Sequence, residues 1–200
     1  MAHRVDPLVA SRIAILGASG SGKSRLARRL GELGNAPVLE LDALYHQANW
    51  TPLDDDAFRS RVGAFVAGSN WICEGNYSVV RDLIWSRADL IIFLDFSRAR
   101  VMGRLVRRTL YRVAFRRRLW NDNREQWRNL LSREPERNIL LWSWRTHRRR
   151  RRDVPAMVTT LAPHATFVHV RTNFQCRVLY RRLAVGYVSG PLPRSSSSHA

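Results

Sequence analysis

The chain alternates short apolar runs with longer stretches in which apolar residues recur every three or four positions. Short runs bounded by turn residues are typical of buried strands, and the longer pattern is typical of amphipathic helices. We predict strands at 12–16, 37–41, 70–74, 89–95 and 166–170. Because helices are predicted between them, this order indicates an α/β fold with a parallel sheet covered on both faces.

Four helices can be placed from their first residues and their apolar stripes. One runs from about Ser24 to Leu33, and the last spans roughly Phe174 to Ala184. Asp54 is expected to cap a third helix and Ser97 a fourth, since short polar side chains are favoured at that position. The expected stripes are Phe58, Val62 and Phe65 in the third helix and Val101, Leu105 and Leu110 in the fourth.

The length of 200 residues fits a single domain, which we expect to span residues 1–188 with a lid at about 109–124. Residues 189–200 include four consecutive serines and are predicted to form a disordered tail. No apolar run reaches about 18 residues and no signal-peptide pattern is present, so we expect a cytoplasmic protein without membrane contact, monomeric or homodimeric. Two cysteines, Cys73 and Cys176, are too few for a disulfide scaffold or a metal cluster.

Thirty-four basic residues against 16 acidic ones give a formal net charge of +18. Nearly all of this excess lies between Arg98 and Arg152, a stretch that contains 19 arginines and only four acidic residues. Such a patch indicates an anionic partner: nucleotide phosphates, a nucleic acid or an acidic surface. Because 33 of the basic residues are arginines, a single arginine is weak evidence, whereas the only lysine, Lys23, marks a position that excludes arginine.

Lys23 lies in the segment Gly17–Ser24, GASGSGKS, which fits the pattern G-x-x-x-x-G-K-[ST] between a predicted strand and a predicted helix. In such a loop the backbone N–H groups and the helix N-terminus bind phosphate oxygens. Lys23 would reach the β- and γ-phosphates as a compact charge, and Ser24 would ligate Mg²⁺. We therefore expect ATP and Mg²⁺ as cofactors. The expected backbone contacts to the nucleotide come from Gly17, Ser19, Gly20, Ser21 and Gly22.

Two carboxylates lie at the end of the second predicted strand, the edge at which open parallel sheets bind ligands. A strand that reaches Leu41 points Glu40 and Asp42 to the same side, because side chains alternate along a strand. Asp42 would orient or deprotonate an acceptor hydroxyl, and Glu40 would hold a water molecule of Mg²⁺. Helix capping or solvent exposure is the alternative for each.

With these motifs the sequence resembles the small P-loop kinases of the nucleoside-monophosphate-kinase type, and among them the bacterial adenylate-kinase-like or DNA topology modulation proteins. The resemblance covers roughly residues 10–185. It implies a five-stranded parallel sheet of strand order 2-3-1-4-5 with a mobile, arginine-bearing lid, and an ATP-dependent transfer to a small-molecule acceptor. Its matching segments are the phosphate loop, LELD (39–42), WICEGNY (71–77), VRD (80–82), residues 88–108 and LWNDNRE (119–125).

The resemblance also implies an acceptor site. Glu74 stands where the matching kinases carry an aspartate that holds a Mg²⁺-bound water. The usual Pro-Arg after it is replaced by Asn76 and Tyr77, which argues against an ordinary nucleoside monophosphate as the acceptor. Asn76, Tyr77 and Arg81 are the candidates for acceptor binding, with Arg81 on its phosphate or carboxylate. A plain surface arginine is the alternative for Arg81.

Arginines of the fourth helix, the lid and the last strand end complete the expected site. Arg100, Arg104 and Arg108 recur every four residues and share a helix face, where like charges repel unless an anion meets them. In the matching kinases the positions of Arg104 and Arg108 lie against the adenine and the phosphates. Arg124 belongs to the lid segment, and Arg171 follows the strand beside the adenine. An arginine over the transferring phosphoryl group can raise the rate about 10³-fold. The alternative for Arg100, Arg104 and Arg108 is a stripe of charges that stays in water.

The basic run Arg148–Arg152 follows Trp142 and Trp144. Aromatic rings beside cations can stack on bases, but we expect these tryptophans to pack a helix onto the sheet while the arginines stay in water. Asp95, at the end of the fourth strand, is expected to cap the next helix. The rival to a kinase is an ATP-dependent nucleic-acid-binding protein, and non-specific nucleic-acid binding at low salt is expected of either.

Overall fold

The computed structural model describes residues 10–115, 119–123, 132, 134 and 138–189. Five parallel strands form one sheet in the order β2-β3-β1-β4-β5, which confirms the predicted fold class and strand order. The strands are β1 (Arg12–Gly17), β2 (Val38–Glu40), β3 (Trp71–Glu74), β4 (Leu90–Leu94) and β5 (Thr166–Val170). Because all strands run the same way, their carboxyl ends meet at one edge of the sheet.

Helices connect and cover the strands. They are α1 (Lys23–Gly34), α2 (Leu41–Tyr45), α3 (Asp55–Val66), α4 (Arg81–Trp85), α5 (Arg98–Ala114), α6 (Ile139–Leu161) and α7 (Asn173–Ser189). A short 3₁₀ turn occupies Ser78–Val80, and Ala48–Trp50 and Trp120–Asp122 form turns with non-helical dihedral angles. The Asp54 cap on α3 is confirmed, since its side chain accepts hydrogen bonds from the N–H groups of Asp56 and Ala57.

The core consists of two apolar layers, one on each face of the sheet. Alternation along β1 sends Ile13 and Ile15 to one layer and Ala14 and Leu16 to the other. The first layer joins β1 to α1, α5 and α7, and the second joins it to α3, α4 and α6. Each face of the sheet is therefore covered, as the strand–helix alternation predicts.

Two expectations about α5 and α6 are wrong. Leu110 is 45% exposed, because the buried face of α5 follows steps of four residues through Val101, Leu105, Thr109 and Val113. Trp142 and Trp144 do not pack α6 onto the sheet: both are exposed, and α6 packs through Val154 and Val158 instead.

The structure describes most of the predicted lid, including a turn at 119–123, but almost none of the predicted tail. Of the predicted lid, 109–114 continues α5 as helix, while 116–118 and Arg124 lie outside the described part of the chain. Of the predicted tail, 189–200, the structure describes only Ser189, the last residue of α7. None of the described helices has the length and apolar character needed to cross a membrane. The cytoplasmic location stays a prediction.

Candidate active site

The phosphate loop leaves the end of β1 and enters α1, as the motif predicts. Gly20 has φ +85°, a conformation that favours glycine, and a Cβ there would lie 3.0 Å from the carbonyl oxygen of Val101. A Cβ on Gly17 would lie 2.6 Å from Ser21 Oγ. The loop is thus packed tightly against α5 on one side and folded onto itself on the other. Ser19 is half-buried, Ser21 is buried, and Gly22 lies at the start of α1.

Lys23 and Ser24 both lie beside Glu74, which ends β3. Ser24 Oγ donates to Glu74 Oε1 at 2.6 Å, and Lys23 Nζ lies 3.8 Å from Glu74 Oε2. Glu74 is only 1% exposed, and its Oε2 makes no hydrogen bond. Burial raises the pKa of Glu74, while Lys23 and Ser24 oppose that shift. A buried carboxylate oxygen beside the phosphate loop is a place where a cation would be stabilised.

Glu40 lies opposite Glu74 in the register of β2 and β3. Trp120 Nε1 donates to Glu40 Oε2 at 3.2 Å, and Arg28 Nε lies 3.7 Å from Glu40 Oε1. The negative charges of Glu40 and Asp42 both raise the pKa of Glu74. Three carboxylates therefore share this edge of the sheet.

Asp42 reaches this edge by a route that differs from the predicted one. β2 ends at Glu40 and α2 begins at Leu41, so the strand alternation that was expected to align Glu40 with Asp42 does not apply. Tyr77 Oη donates to Asp42 Oδ1 at 2.7 Å and also lies 3.4 Å from His46 Nε2. Burial and Asp42 raise the pKa of Tyr77, so the phenol stays protonated and holds the carboxylate by donating to it.

Arg81 begins α4 and lies half-buried next to Asn76. Its Nη2 donates to Asn76 Oδ1 at 3.4 Å, and its guanidinium carbon is 5.2 Å from the ring centroid of Trp85. Its Nε is buried without a hydrogen bond, and no carboxylate of the described residues forms an ion pair with it. Burial lowers the pKa of Arg81. A desolvated guanidinium of this kind is suited to an anionic ligand.

Arg150 is the site residue that the sequence reasoning missed, because the run Arg148–Arg152 looked uniformly solvated. Burial lowers the pKa of Arg150, and the negative charge of Asp42 opposes that shift, so this arginine lies within electrostatic reach of Asp42. Its Nη2 donates to Thr146 Oγ1 at 3.2 Å. Helical spacing from the buried His147 and Val154 was the available signal, since it turns Arg150 inward and leaves Arg148, Arg149 and Arg152 exposed.

Asp95, at the end of β4, does not cap α5. Its buried Oδ2 instead lies 2.9 Å from His169 Nε2 and 3.1 Å from Arg151 Nε. The N-cap position belongs to Ser97, whose side chain makes no capping hydrogen bond. Asp95 therefore ties β4 to β5 and α6.

Arg104 lies on the other side of the loop, where α5 packs against Gly20. Its Nη2 donates to Asn173 Oδ1 at 3.0 Å, and its guanidinium carbon is 5.2 Å from the Phe96 ring centroid. Arg108 is half-buried one turn further along α5.

Arg171 is exposed immediately after β5, and its N–H donates to Gln175 Oε1 at 2.8 Å. Arg104 and Arg171 therefore lie near the same strand end, away from the Asp42 side of the site.

No family model and no curated protein matches the sequence. Three solved structures to which the chain is similar are all titled as kinases. A gluconokinase from Sinorhizobium meliloti 1021 is 19% identical over 90% of this chain and 92% of its own, with a TM-score of 0.47. A shikimate kinase from Acinetobacter baumannii in complex with shikimate is 15% identical over 90% and 94%, with a TM-score of 0.49. A shikimate kinase from Bacteroides thetaiotaomicron is 13% identical over 87% and 96%, with a TM-score of 0.47. At these identities the likeness says nothing about the substrate of this chain.

Proposed function

We propose that this chain is a Mg²⁺- and ATP-dependent phosphotransferase that acts on a small-molecule acceptor. The observation that carries the proposal is the placement of Asp42 and Glu74 at one sheet edge. Glu74 contacts the lysine and serine of the phosphate loop, and Asp42 is held by Tyr77. Phosphoryl transfer needs little more than such positioning and charge stabilisation.

Ser24 and Glu74 fit the needs of Mg²⁺. The ion prefers oxygen ligands and keeps several waters, so it is commonly bound through one or two protein groups and the substrate phosphates. Ser24 would ligate it directly and Glu74, through its buried Oε2, would hold one of its waters. Bound Mg²⁺ supplies charge neutralisation on the phosphates. Glu40 is the other candidate for a Mg²⁺-bound water.

Arg81 and Arg150 support an acceptor that carries a negative charge, either a carboxylate or a phosphate. Burial lowers the pKa of both guanidinium groups, so an anion beside either of them would restore interactions that water no longer supplies. Guanidinium groups bind carboxylates and phosphates in a planar, two-point geometry. Asn76, which accepts from Arg81, and Tyr77 complete this part of the site.

Asp42 would receive the proton that the acceptor loses. In the proposed reaction the acceptor hydroxyl oxygen forms a bond to the γ-phosphorus, the bond from that phosphorus to the β–γ bridging oxygen breaks, and the hydroxyl proton passes to Asp42. ADP and the phosphorylated acceptor are the products. Lys23 would stabilise the charge on the phosphates, with Arg104 and Arg108 as the candidates on α5 and Arg124 in the lid segment. Arg104 and Arg171 would lie along the nucleotide.

The adenylate-kinase-like resemblance would make the acceptor a nucleotide. The segment after Glu74 favours a different small anion. Where the matching kinases carry an arginine, this chain carries Tyr77, whose hydroxyl donates to Asp42 and supplies no positive charge for a nucleotide phosphate. We therefore propose that the acceptor is a small hydroxy acid or a phosphorylated alcohol with a free hydroxyl, in preference to a nucleoside monophosphate.

A second candidate function, ATP-dependent nucleic-acid binding, is favoured by one observation. The outward face of α6 carries the exposed arginines Arg145, Arg148, Arg149 and Arg152 next to the exposed Trp144. Cations interleaved with an aromatic ring suit a polyanion with stacked bases. Asp153 reduces this charge, since it pairs with both Arg149 and Arg152.

The experiment that tests the proposed function is ADP formation from Mg²⁺-ATP with a panel of acceptors. The panel comprises hydroxy acids, sugar phosphates, neutral sugars and nucleoside monophosphates, each assayed with wild type and with Arg81→Gln. We expect turnover only with anionic acceptors and a loss of it in the variant. Turnover with neutral sugars that is equal in both proteins would contradict the proposed acceptor class.

A further inference from the structure

Two turns with the same backbone conformation lie against each other beside Asp42. We call Gln47–Thr51 the acceptor-side turn and Leu119–Asn123 the lid turn. In each, the first N–H donates to the fifth carbonyl oxygen, at 2.8 Å and 2.7 Å respectively. Two successive residues of each turn have positive φ, which is uncommon outside glycine and persists where surrounding contacts hold it. These residues are Asn49 (φ 59°), Trp50 (φ 60°), Asn121 (φ 54°) and Asp122 (φ 58°).

Asn123 joins the two turns through its side-chain amide. It is 4% exposed, its Oδ1 accepts from the N–H of Trp50 at 2.8 Å, and its Nδ2 donates to the carbonyl oxygen of Gln47 at 2.8 Å. An amide supplies a donor and an acceptor at once, and neither a carboxylate nor an aliphatic side chain does. An alanine at this position would therefore keep neither hydrogen bond, and an aspartate only the one from Trp50.

The lid turn also bonds to the chain on both sides of Asp42. Trp120 Nε1 donates to Glu40 Oε2 at 3.2 Å, and Asn121 Nδ2 donates to the carbonyl oxygen of Ala43 at 3.2 Å and of His46 at 2.6 Å. α2 is only five residues long, so its own hydrogen bonds fix it weakly. The position of α2, and of the Asp42 carboxylate on it, thus depends on contacts from outside the helix.

We propose that Asn123 is a positioning residue. It ties the lid turn to the acceptor-side turn, and the lid turn in turn holds α2 through Asn121, which sets where Asp42 lies relative to the phosphate loop. The inference rests on the proposed function for the role of Asp42, but the tie itself does not. Removing the Asn123 amide takes away the acceptor of the Trp50 N–H and the donor to the Gln47 carbonyl, so both hydrogen bonds between the two turns made by this side chain are lost. The loss would fall on the acceptor side, since Asn123 makes no hydrogen bond to the phosphate loop.

The test compares Asn123→Ala and Asn123→Asp with the matched control Asn138→Ala. Asn138 is also a buried asparagine that both accepts and donates, but it caps α6: its Oδ1 accepts from Leu140 and Leu141 and its Nδ2 donates to Ser132. Hydrogen exchange followed by NMR reports the Trp50 amide and the amides of α2. Steady-state kinetics and nucleotide titration report acceptor turnover and ATP affinity.

We expect Asn123→Ala to speed exchange at Trp50 and in α2 about tenfold or more, and Asn123→Asp to protect Trp50 better than alanine does, because it keeps the acceptor. We expect kcat/KM for the acceptor to fall about tenfold or more in both, with ATP affinity within about twofold, the pattern of a lost positioning contact. Unchanged exchange at Trp50, or an equal loss of kcat/KM in the Asn138 control, overturns the inference. Faster exchange in α2 together with a wild type that phosphorylates no acceptor refutes the proposed function instead and leaves the tie supported.

Discussion

Ser24 Oγ donates a 2.6 Å hydrogen bond to Glu74 Oε1, which joins the phosphate loop to the end of a strand 50 residues further along the chain. The bond leaves Glu74 Oε2 buried without a hydrogen bond and 3.8 Å from Lys23. Lys23 and Ser24 offset the cost of burying this charge only in part, because the pKa of Glu74 is raised in spite of them. The stability of this protein should therefore depend on the charge of Glu74.

The first prediction follows from the sign of that dependence. Burial raises the pKa of Glu74, so the folded chain binds this proton more readily than the unfolded chain. The protonated Glu74 side chain therefore stabilises the folded chain fully below the ordinary carboxyl pKa of about 4.3. This stabilisation is lost as the pH rises through the raised pKa of Glu74 in the folded chain. In the absence of nucleotide and Mg²⁺, the Glu74→Gln variant should melt about 3 °C higher than wild type near pH 7. In a domain of this size that shift corresponds to about 1 kcal/mol of unfolding free energy. Near pH 4 the variant should melt no higher than wild type.

Glu32→Gln, an exposed substitution on α1, is the control for this melting experiment and should show no such pH-dependent gain. A Glu74→Gln variant that melts at or below the wild-type temperature near pH 7 would mean that Lys23 already compensates the buried charge.

The second prediction concerns the only lysine. Lys23→Arg should lower ATP affinity or turnover about 10²-fold or more, because a planar guanidinium does not fit where a compact ammonium contacts two phosphates. Circular dichroism and melting should show that the variant remains folded. Arg25→Ala, an exposed change two residues further along α1, should retain wild-type turnover. A Lys23→Arg variant that is as active as wild type would remove the phosphate-binding role.

Local signals explain which parts of the fold and site could be predicted from the sequence. The phosphate loop, β1 and β5 were predicted correctly, because each is specified by a contiguous pattern. The start of α2 at Leu41 was not, because it depends on contacts with distant parts of the chain, such as those of Asn121. The inward turn of Arg150 was missed although its helical spacing from His147 and Val154 indicates it. Asp95 was misassigned because its partners, His169 and Arg151, come from β5 and α6.

The third prediction separates acceptor binding from nucleotide binding. Arg81→Gln and Arg150→Gln should each raise the acceptor KM about 10- to 100-fold, the scale of a hydrogen bond to a charged group, with ATP affinity within about threefold. Arg149→Gln is the matched control, since Arg149 lies on the exposed face of the same helix as Arg150. If all three substitutions raised KM equally, Arg81 and Arg150 would act only through the overall positive charge and not by binding the acceptor directly.

The fourth prediction decides whether the basic face of α6 has a function of its own. We expect nucleic-acid binding to be weak at physiological salt, to fall with a slope of about −0.9 in log K against log salt per phosphate neutralised, and to change little with Mg²⁺-ATP. Changing Arg145, Arg148, Arg149 and Arg152 to Gln should weaken low-salt binding and leave ATP turnover intact, because these side chains are exposed. Submicromolar binding at physiological salt that responds about tenfold to ATP would support the nucleic-acid function instead.

The measurement that tests the central claim most directly is phosphoryl transfer by Asp42→Asn, with ATP affinity measured on the same preparation. The substitution keeps the size of the side chain and an oxygen that can accept from Tyr77, and it removes the charge. We predict that transfer falls about 10²-fold or more, the scale of general-base loss, while ATP affinity stays within about threefold. Full transfer activity in Asp42→Asn, or a loss of ATP affinity as large as the loss of transfer, would contradict the account.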